Sequence, residues 1–287
     1  MPRSGSRRPA ERLGYPTRDA IVGAQYDSVD AATGYATSHE GWGPPARYFH
    51  SRLHVVDEAL RQSPGGDLLD IGCGPGILLR HLLDTRAGDF RLTGGDRSRT
   101  MVKVAGERVA DETDARVTEA RIESMPLPDA SFDVAIAMGV LEYSDVPRGL
   151  SETARVVRPG GLVLVTMLNP RSPYRLFEWI VYWPALRLLG RVERLLRVAP
   201  ERRHGARVSG IRAIPAARLC RKMRDVGLVP HDVVYYDLTP LVPPLDRIAR
   251  RWARRWRAHP ETTVSRGRRR WMGTAYLVAA RRIQRRT

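Results

Sequence analysis

The nine residues Leu68-Leu69-Asp70-Ile71-Gly72-Cys73-Gly74-Pro75-Gly76 constrain this chain more than any other feature. A short apolar run ends in an acid, glycines follow, and Ile77–Leu83 continues with helical spacing. The run Asp67–Ile71 reads as a buried parallel strand. Glycines there let the backbone turn sharply and come close to a ligand. The N-terminus of the next helix adds free N–H groups and a partial positive charge, which suit a carboxylate or a phosphate.

Two ligand classes compete for such a loop. A dinucleotide site wants GxGxxG, whose third glycine permits close packing of helix on strand. Here the spacing is GxGxG, and Ile77 occupies the place of that third glycine. Asp70 stands just before the loop, where it repels a diphosphate and stabilises a ligand carrying an ammonium and a sulfonium. S-adenosyl-L-methionine has both, with a carboxylate for the helix N-terminus. The second signal is Gly94-Gly95-Asp96, at the end of the next short strand. A carboxylate there can accept both ribose hydroxyls. Asp96 can equally cap the helix that follows, and the two roles are compatible.

Strand and helix alternate onward. Strands are expected at Phe90–Gly94, Ala115–Glu119, Phe132–Met138 and Leu162–Met167, with helices at Ala46–Arg61, Arg99–Thr113 and Val146–Val157. This rhythm predicts a parallel sheet covered on both faces. It breaks after Asn169. A helix over Ile214–Val226, a strand over Val233–Tyr236, a basic helix over Arg247–Arg257 and a last strand over Thr274–Ala280 are expected beyond it. Pro170–Gly210 and Asp237–Met272 read as insertions that decorate the sheet.

The blocks DLLDIGCGPG, GGDRSRTMV, IESMPLPDASFDVAIAMGVLEYSD and ARVVRPGGLVLV, in that order and spacing, resemble the class I S-adenosylmethionine-dependent methyltransferases. They are most similar to the small-molecule branch that includes the ubiquinone/menaquinone biosynthesis C-methyltransferases. The resemblance covers about Gly65–Met167, somewhat over a third of the chain. It implies an α/β fold with a Rossmann-like, doubly wound sheet, mostly parallel with an antiparallel last strand, carrying C-terminal helical insertions. The expected organisation is a leader over 1–18, lid helices over 19–64, the cofactor-binding core over 65–169, and basic aromatic cap insertions with the last two strands over 170–287.

The resemblance also assigns roles. Asp70 holds the methionyl amine. Gly72, Cys73, Gly74 and Gly76 shape the cofactor loop, and Asp96 binds ribose. Ile122 and Glu123 flank the adenine. The family's Asp two residues before Glu123 is Arg121 here, which leaves adenine recognition to other groups. Arg97 can stack its guanidinium plane on adenine or face water. Met138 ends the fourth strand, where open parallel sheets bind ligands. Arg158-Pro159-Gly160-Gly161 reads as a tight turn. Candidate proton acceptors are His39 and Tyr143, with His50, Tyr26, Tyr35 and Glu142 behind them. No residue pattern calls for a metal. Cys73 and Cys220 lack a CxxC or histidine partner, which argues against a disulfide framework or zinc site and for a reducing cytoplasm.

Charge bears on the methyl acceptor. The formal net charge is +17, but residues 1–170 carry 20 basic and 23 acidic side chains, and residues 171–287 carry 28 and 8. All but Lys103 and Lys222 of the basic residues are arginine, as a GC-rich genome would encode. That accounts for arginine over lysine and leaves the asymmetry between the halves unexplained. Stretch 174–198, YRLFEWIVYWPALRLLGRVERLLRV, mixes aromatics and leucines with arginines, and 247–257 repeats the theme. Such stretches suit a cap over a hydrophobic small-molecule acceptor (a lipid, a quinone or a natural product), or a peripheral contact with an anionic membrane surface. An RNA or other nucleic-acid methyltransferase, or a basic nucleic-acid-binding protein, ranks below, since no RNA-module signature is visible. A non-catalytic S-adenosylmethionine-binding protein ranks last.

Overall fold

The computed structural model describes residues 44–61, 63, 65–198, 212–239 and 258–284, with the isolated positions Gly34, Thr37 and Arg255. The expected leader, His39, Tyr26 and Tyr35 lie outside them, as does nearly all of 247–257.

Seven strands form one sheet: β1 (Gly66–Ile71), β2 (Phe90–Asp96), β3 (Ala115–Glu119), β4 (Phe132–Ala137), β5 (Val157–Leu168), β6 (Leu228–Leu238) and β7 (Gly273–Arg282). Their spatial order is β3-β2-β1-β4-β5-β7-β6. β1 is parallel to β2 and β4, and β7 alone runs antiparallel, between β5 and β6. The doubly wound sheet with an antiparallel last strand is therefore as the sequence implied. The last four residues of β1 are buried on both faces, which is why Leu68-Leu69-Asp70-Ile71 reads as an unbroken apolar run around one acid. Pro230 is tolerated because β6 is an edge strand.

Helices cover both faces. On one, α1 (Pro44–Leu60), α2 (Ile77–Thr85) and α3 (Arg99–Arg108) pack Phe49, Val56, Leu79 and Ala105 against Leu68, Val134 and Leu164. On the other, α4 (Val146–Val156) and α7 (Ala216–Asp225) pack Leu150, Leu219 and Met223 against Leu69, Val163 and Val278. Between the two last-named helices run α5 (Pro173–Phe177), a π turn (Glu178–Tyr182) and α6 (Trp183–Leu195). The π turn accommodates Pro184, which has no N–H to give to the preceding turn.

Two expectations need correction. The helix expected over Arg99–Thr113 ends at Arg108, because Asp111, Thr113 and Asp114 are poor helix formers and bury no apolar face. The turn expected at Arg158–Gly161 is the start of β5, irregular rather than reversed. Gly160 takes φ +83°, the β4–β5 register shifts, and a Cβ on Gly161 would meet the Asp133 carbonyl oxygen at 2.9 Å. The Pro159–Gly160 turn therefore lies inside the irregular start of β5 and not before it.

α1 is bolted to the far edge of the sheet by buried charge. Arg47 Nε donates to Asp237 Oδ1 at 2.5 Å, and the Thr274 hydroxyl donates to Asp237 Oδ2 at 2.6 Å. Arg47 and Asp237 are 5% and 2% exposed, so neither has water to fall back on. Asp237→Asn is expected to cost about 3 kcal/mol of unfolding free energy, as breaking a buried pair does, measured by denaturant titration. A loss below about 0.5 kcal/mol, the range of ordinary surface changes, would show that the pair does not anchor α1.

Candidate functional site

β1, β2 and β4 end at the same edge, and the strand order reverses between β1 and β4. Such a switch point opens a crevice beyond the carboxyl ends of the strands. A cleft, partly open to solvent, lies there. Asp70, Gly72, Cys73, Gly74, Asp96, Arg97, Ile122, Glu123, Met138 and Tyr143 all line it, so the cofactor-loop, ribose and adenine candidates other than Gly76, with Tyr143 of the proton acceptors, converge on one place. Gly76 does not line it. It precedes α2 with φ +78°, its N–H donates to the Cys73 carbonyl at 3.0 Å, and a Cβ there would sit 3.1 Å from the Ala105 Cα, so it closes the loop and lets α3 pack close.

The glycine loop is shaped by backbone demands. Gly72 takes φ +72°, and a Cβ would meet Val140 Cγ2 at 2.3 Å. Its N–H and that of Cys73 donate to the Gly95 carbonyl, at 2.6 and 3.1 Å, which ties the loop to the end of β2. Asp96 extends the tie. Its Oδ2 accepts from the Gly74 N–H and its Oδ1 from the Ser98 N–H, both at 2.9 Å. The cap of α3 is Ser98, which accepts from Met101 N–H, so the capping role considered for Asp96 falls to its neighbour. Each Asp96 oxygen keeps a further lone pair for a ligand hydroxyl.

Asp70 is the anomaly. It is 1% exposed, and neither carboxylate oxygen has a hydrogen-bond partner among the described residues. Burial pushes its pKa up to about 7, the Asp96 charge adds to that, and Arg52 works against it. An acid held this way is stabilised by a cation in the cleft and costs stability without one. The cleft therefore fits a ligand with an ammonium beside a diol-bearing sugar: one oxygen pair is orphaned, and the other is preset by backbone donors.

Sequence reasoning missed Arg52 and Phe49, which enter the lining from α1. Arg52 is 5% exposed and lies over the Tyr48 and Phe49 rings at 5.2 and 5.4 Å. A signal existed: Arg52 falls on the stripe of Phe49, Leu53, Val56 and Leu60, where an arginine is out of place. His50 does not line the cleft.

Arg52 also faces a second buried acid. Glu142 is 2% exposed, its Oε2 has no hydrogen-bond partner among the described residues, and burial lifts its pKa to about 7 against the pull of Arg52 and Arg175. The folded form thus holds the Glu142 proton more tightly than the unfolded form, and the contribution to stability falls as pH rises from about 4.5 to about 7. Glu142→Gln is expected to stabilise the protein by up to about 3 kcal/mol at pH 8 and far less at pH 5, read from denaturant midpoints. An equal gain at both pH values would mean that Glu142 does not titrate in this range.

Comparisons with known proteins agree with this geometry. Residues 69–165 match the family model described as methyltransferase domain. The ubiquinone/menaquinone biosynthesis C-methyltransferase UbiE of Geobacter sulfurreducens is 36% identical over 137 residues, 46% of this chain and 53% of that protein. The chain thus spans about half the length of the curated relatives it matches. Among solved structures, an S-adenosylmethionine-dependent methyltransferase of Thermotoga maritima superposes with a TM-score of 0.52 at 19% identity, covering 82% of this chain and 91% of its own. The geranyl diphosphate C-methyltransferase of Streptomyces coelicolor, solved with Mg2+, geranyl diphosphate and S-adenosyl-L-homocysteine, gives 0.50 at 17%, covering 80% and 78%. At such identities the structures speak for the fold. With the sequence match and the cleft beyond β1, β2 and β4, residues 69–165 form a class I S-adenosylmethionine-dependent methyltransferase domain, resembling that of the ubiquinone/menaquinone biosynthesis enzymes.

Proposed function

We propose that the chain transfers a methyl group from S-adenosyl-L-methionine to a hydrophobic small molecule of the lipid, quinone or natural-product kind. The observation that carries this reading is the buried, unpartnered carboxylate of Asp70 at the head of a glycine loop. Asp70 takes the ligand ammonium, and Gly72, Cys73 and Gly74 form the floor beneath it. Asp96 accepts from the ribose hydroxyls while its other lone pairs hold the loop. Ile122, Glu123 and Arg97 border the adenine place. Arg121 lines the cleft where the family's acid would be, so the base is held there by stacking and backbone rather than by that carboxylate.

Bound in this way, the cofactor supplies an electrophilic methyl on a sulfonium, open to in-line attack. What the protein adds is alignment. Met138 and Gly139, at the end of β4, border the donor end of the cleft, and Thr166 fixes that turn by accepting the Gly139 N–H through its hydroxyl at 2.9 Å. Phe49 and Arg52 from α1 enclose the same end, so α1 both shields the cleft from water and limits the acceptors that enter. Where the acceptor must lose a proton, Tyr143 in the lining and its neighbour Glu142 are the candidates within the described residues.

The apolar acceptor is supported by the aromatic and leucine-rich segment inserted after β5, and by the small-molecule and quinone methyltransferases among the relatives. This reading places the chain in the cytoplasm or at the periphery of a membrane. No helix among the described residues is long and apolar enough to cross one. Asp96→Ala is expected to weaken S-adenosylhomocysteine binding by about 1.5–3 kcal/mol, the loss of charge-assisted hydrogen bonds, measured by calorimetry. An unchanged dissociation constant would remove Asp96 from the ribose role. Incubation with methyl-labelled cofactor and fractionated extract should put label in an organic-soluble product. Label appearing in RNA instead would overturn the choice of acceptor.

A further inference from the structure

Among the described residues, thirteen large hydrophobic side chains are exposed, and ten of them lie between Leu176 and Leu196. Soluble surfaces scatter such residues singly, whereas a contiguous patch marks a docking surface. No side chain of α6 is buried. The arm made of α5, the π turn and α6 packs chiefly on itself and meets the body of the protein through α5 on β7.

The pattern on α6 is ordered. Leu188, Val192 and Leu195 recur at helical spacing and are 61%, 41% and 82% exposed. Arg187, Arg191 and Arg194 recur one residue earlier and are also exposed, so a cationic stripe borders the apolar one. Stretch 179–192 contains no acidic residue. Trp179 and Tyr182, half exposed, stand at the root of α6. An apolar face edged by arginines, with aromatics at one end, is the make-up of a helix that lies in a lipid–water interface.

A second element joins it. The 3-10 turn Arg268–Met272 carries exposed Arg268, Arg269, Arg270 and Trp271, the last 58% exposed. It leads into β7, whose first residues pair with the ends of β5 and β6. The arm springs from the same end of β5, and Asn169 joins the two roots, with its side-chain amide donating to the Gly273 carbonyl at 2.9 Å. That edge of the sheet is also where β1, β2 and β4 end, so the cleft opens along it.

We propose that the arm and the Arg268–Trp271 turn form one docking face for an anionic phospholipid bilayer, set beside the mouth of the cleft. The bilayer is favoured over a protein or RNA partner because apolar and cationic stripes run side by side on one helix, and the exposed arginines of the 268–271 turn add to the cationic side. Its use, delivery of an apolar acceptor without passage through water, rests on the methyltransferase reading. The docking itself does not.

Flotation of the full chain with vesicles tests it. The chain should float with 70:30 phosphatidylcholine:phosphatidylglycerol vesicles in 0.1 M salt, and not with pure phosphatidylcholine. Arg187→Gln with Arg191→Gln should lower partitioning roughly thirtyfold, from the usual contribution of a basic residue near an anionic surface. Trp179→Ser with Leu188→Ser should also abolish flotation. Because all four side chains are exposed, these variants should keep the parent's circular dichroism and its affinity for S-adenosylhomocysteine. Absence of flotation, equal flotation on both vesicles, or flotation indifferent to both double variants would overturn the proposal. So would RNA retention, or a dimer dissolved by Leu188→Ser, without flotation. Failure of the parent to bind S-adenosylhomocysteine would sink the methyltransferase reading and leave the flotation result standing.

Discussion

A carboxylate buried near the end of β1, with no hydrogen-bond partner among the described residues, organises this protein. Asp70 belongs to β1, paired on both sides, and is only 1% exposed at the floor of the cleft. Such a group is tolerated because the parallel sheet is held independently by its two apolar faces. The stability forgone at Asp70 is recovered when a cation arrives, which makes the site selective for charge before any other contact is counted. Asp96 is the complement: its oxygens are already hydrogen-bonded, and it serves as a preset acceptor. One acid waits for a partner and the other positions the loop.

Arg52 connects this site to the rest of the molecule. It is set on α1, which Arg47 and Asp237 pin to the antiparallel end of the sheet. Its guanidinium acts on both Asp70 and Glu142, two acids that burial brings to a similar pKa. A cationic ligand at Asp70 removes part of what holds Arg52 there and leaves Glu142 as its remaining carboxylate in the pair.

How much of this was legible in the sequence depended on the range of the interaction. The loop, both acids, Ile122, Glu123 and Met138 were readable because short segments carry them and the sheet brings those segments to one edge. β1 and β4 were readable because burial on both faces leaves continuous apolar runs, whereas half-exposed β6 extends well beyond the expected Val233–Tyr236. Gly76 stands outside the lining, and its closeness to Ala105 of α3 was beyond one-dimensional reading. The Arg47–Asp237 pair was not legible, because its partners stand 190 residues apart in the chain, and Arg52 showed only as an arginine out of place on an apolar stripe. The arm was legible as composition, but only its exposure distinguishes a cap from a docking surface.

The most direct test is the number of protons released when S-adenosylhomocysteine binds, measured by calorimetry in buffers of different ionisation enthalpy. With the Asp70 pKa near 7 in the free protein and an ionised Asp70 against the ligand ammonium in the complex, binding at pH 6 should release roughly 0.9 proton. The release should fade by about pH 8 and be absent in Asp70→Asn. Tight binding with no proton released at pH 6 would contradict the account, since Asp70 would then not be the group that meets the amine.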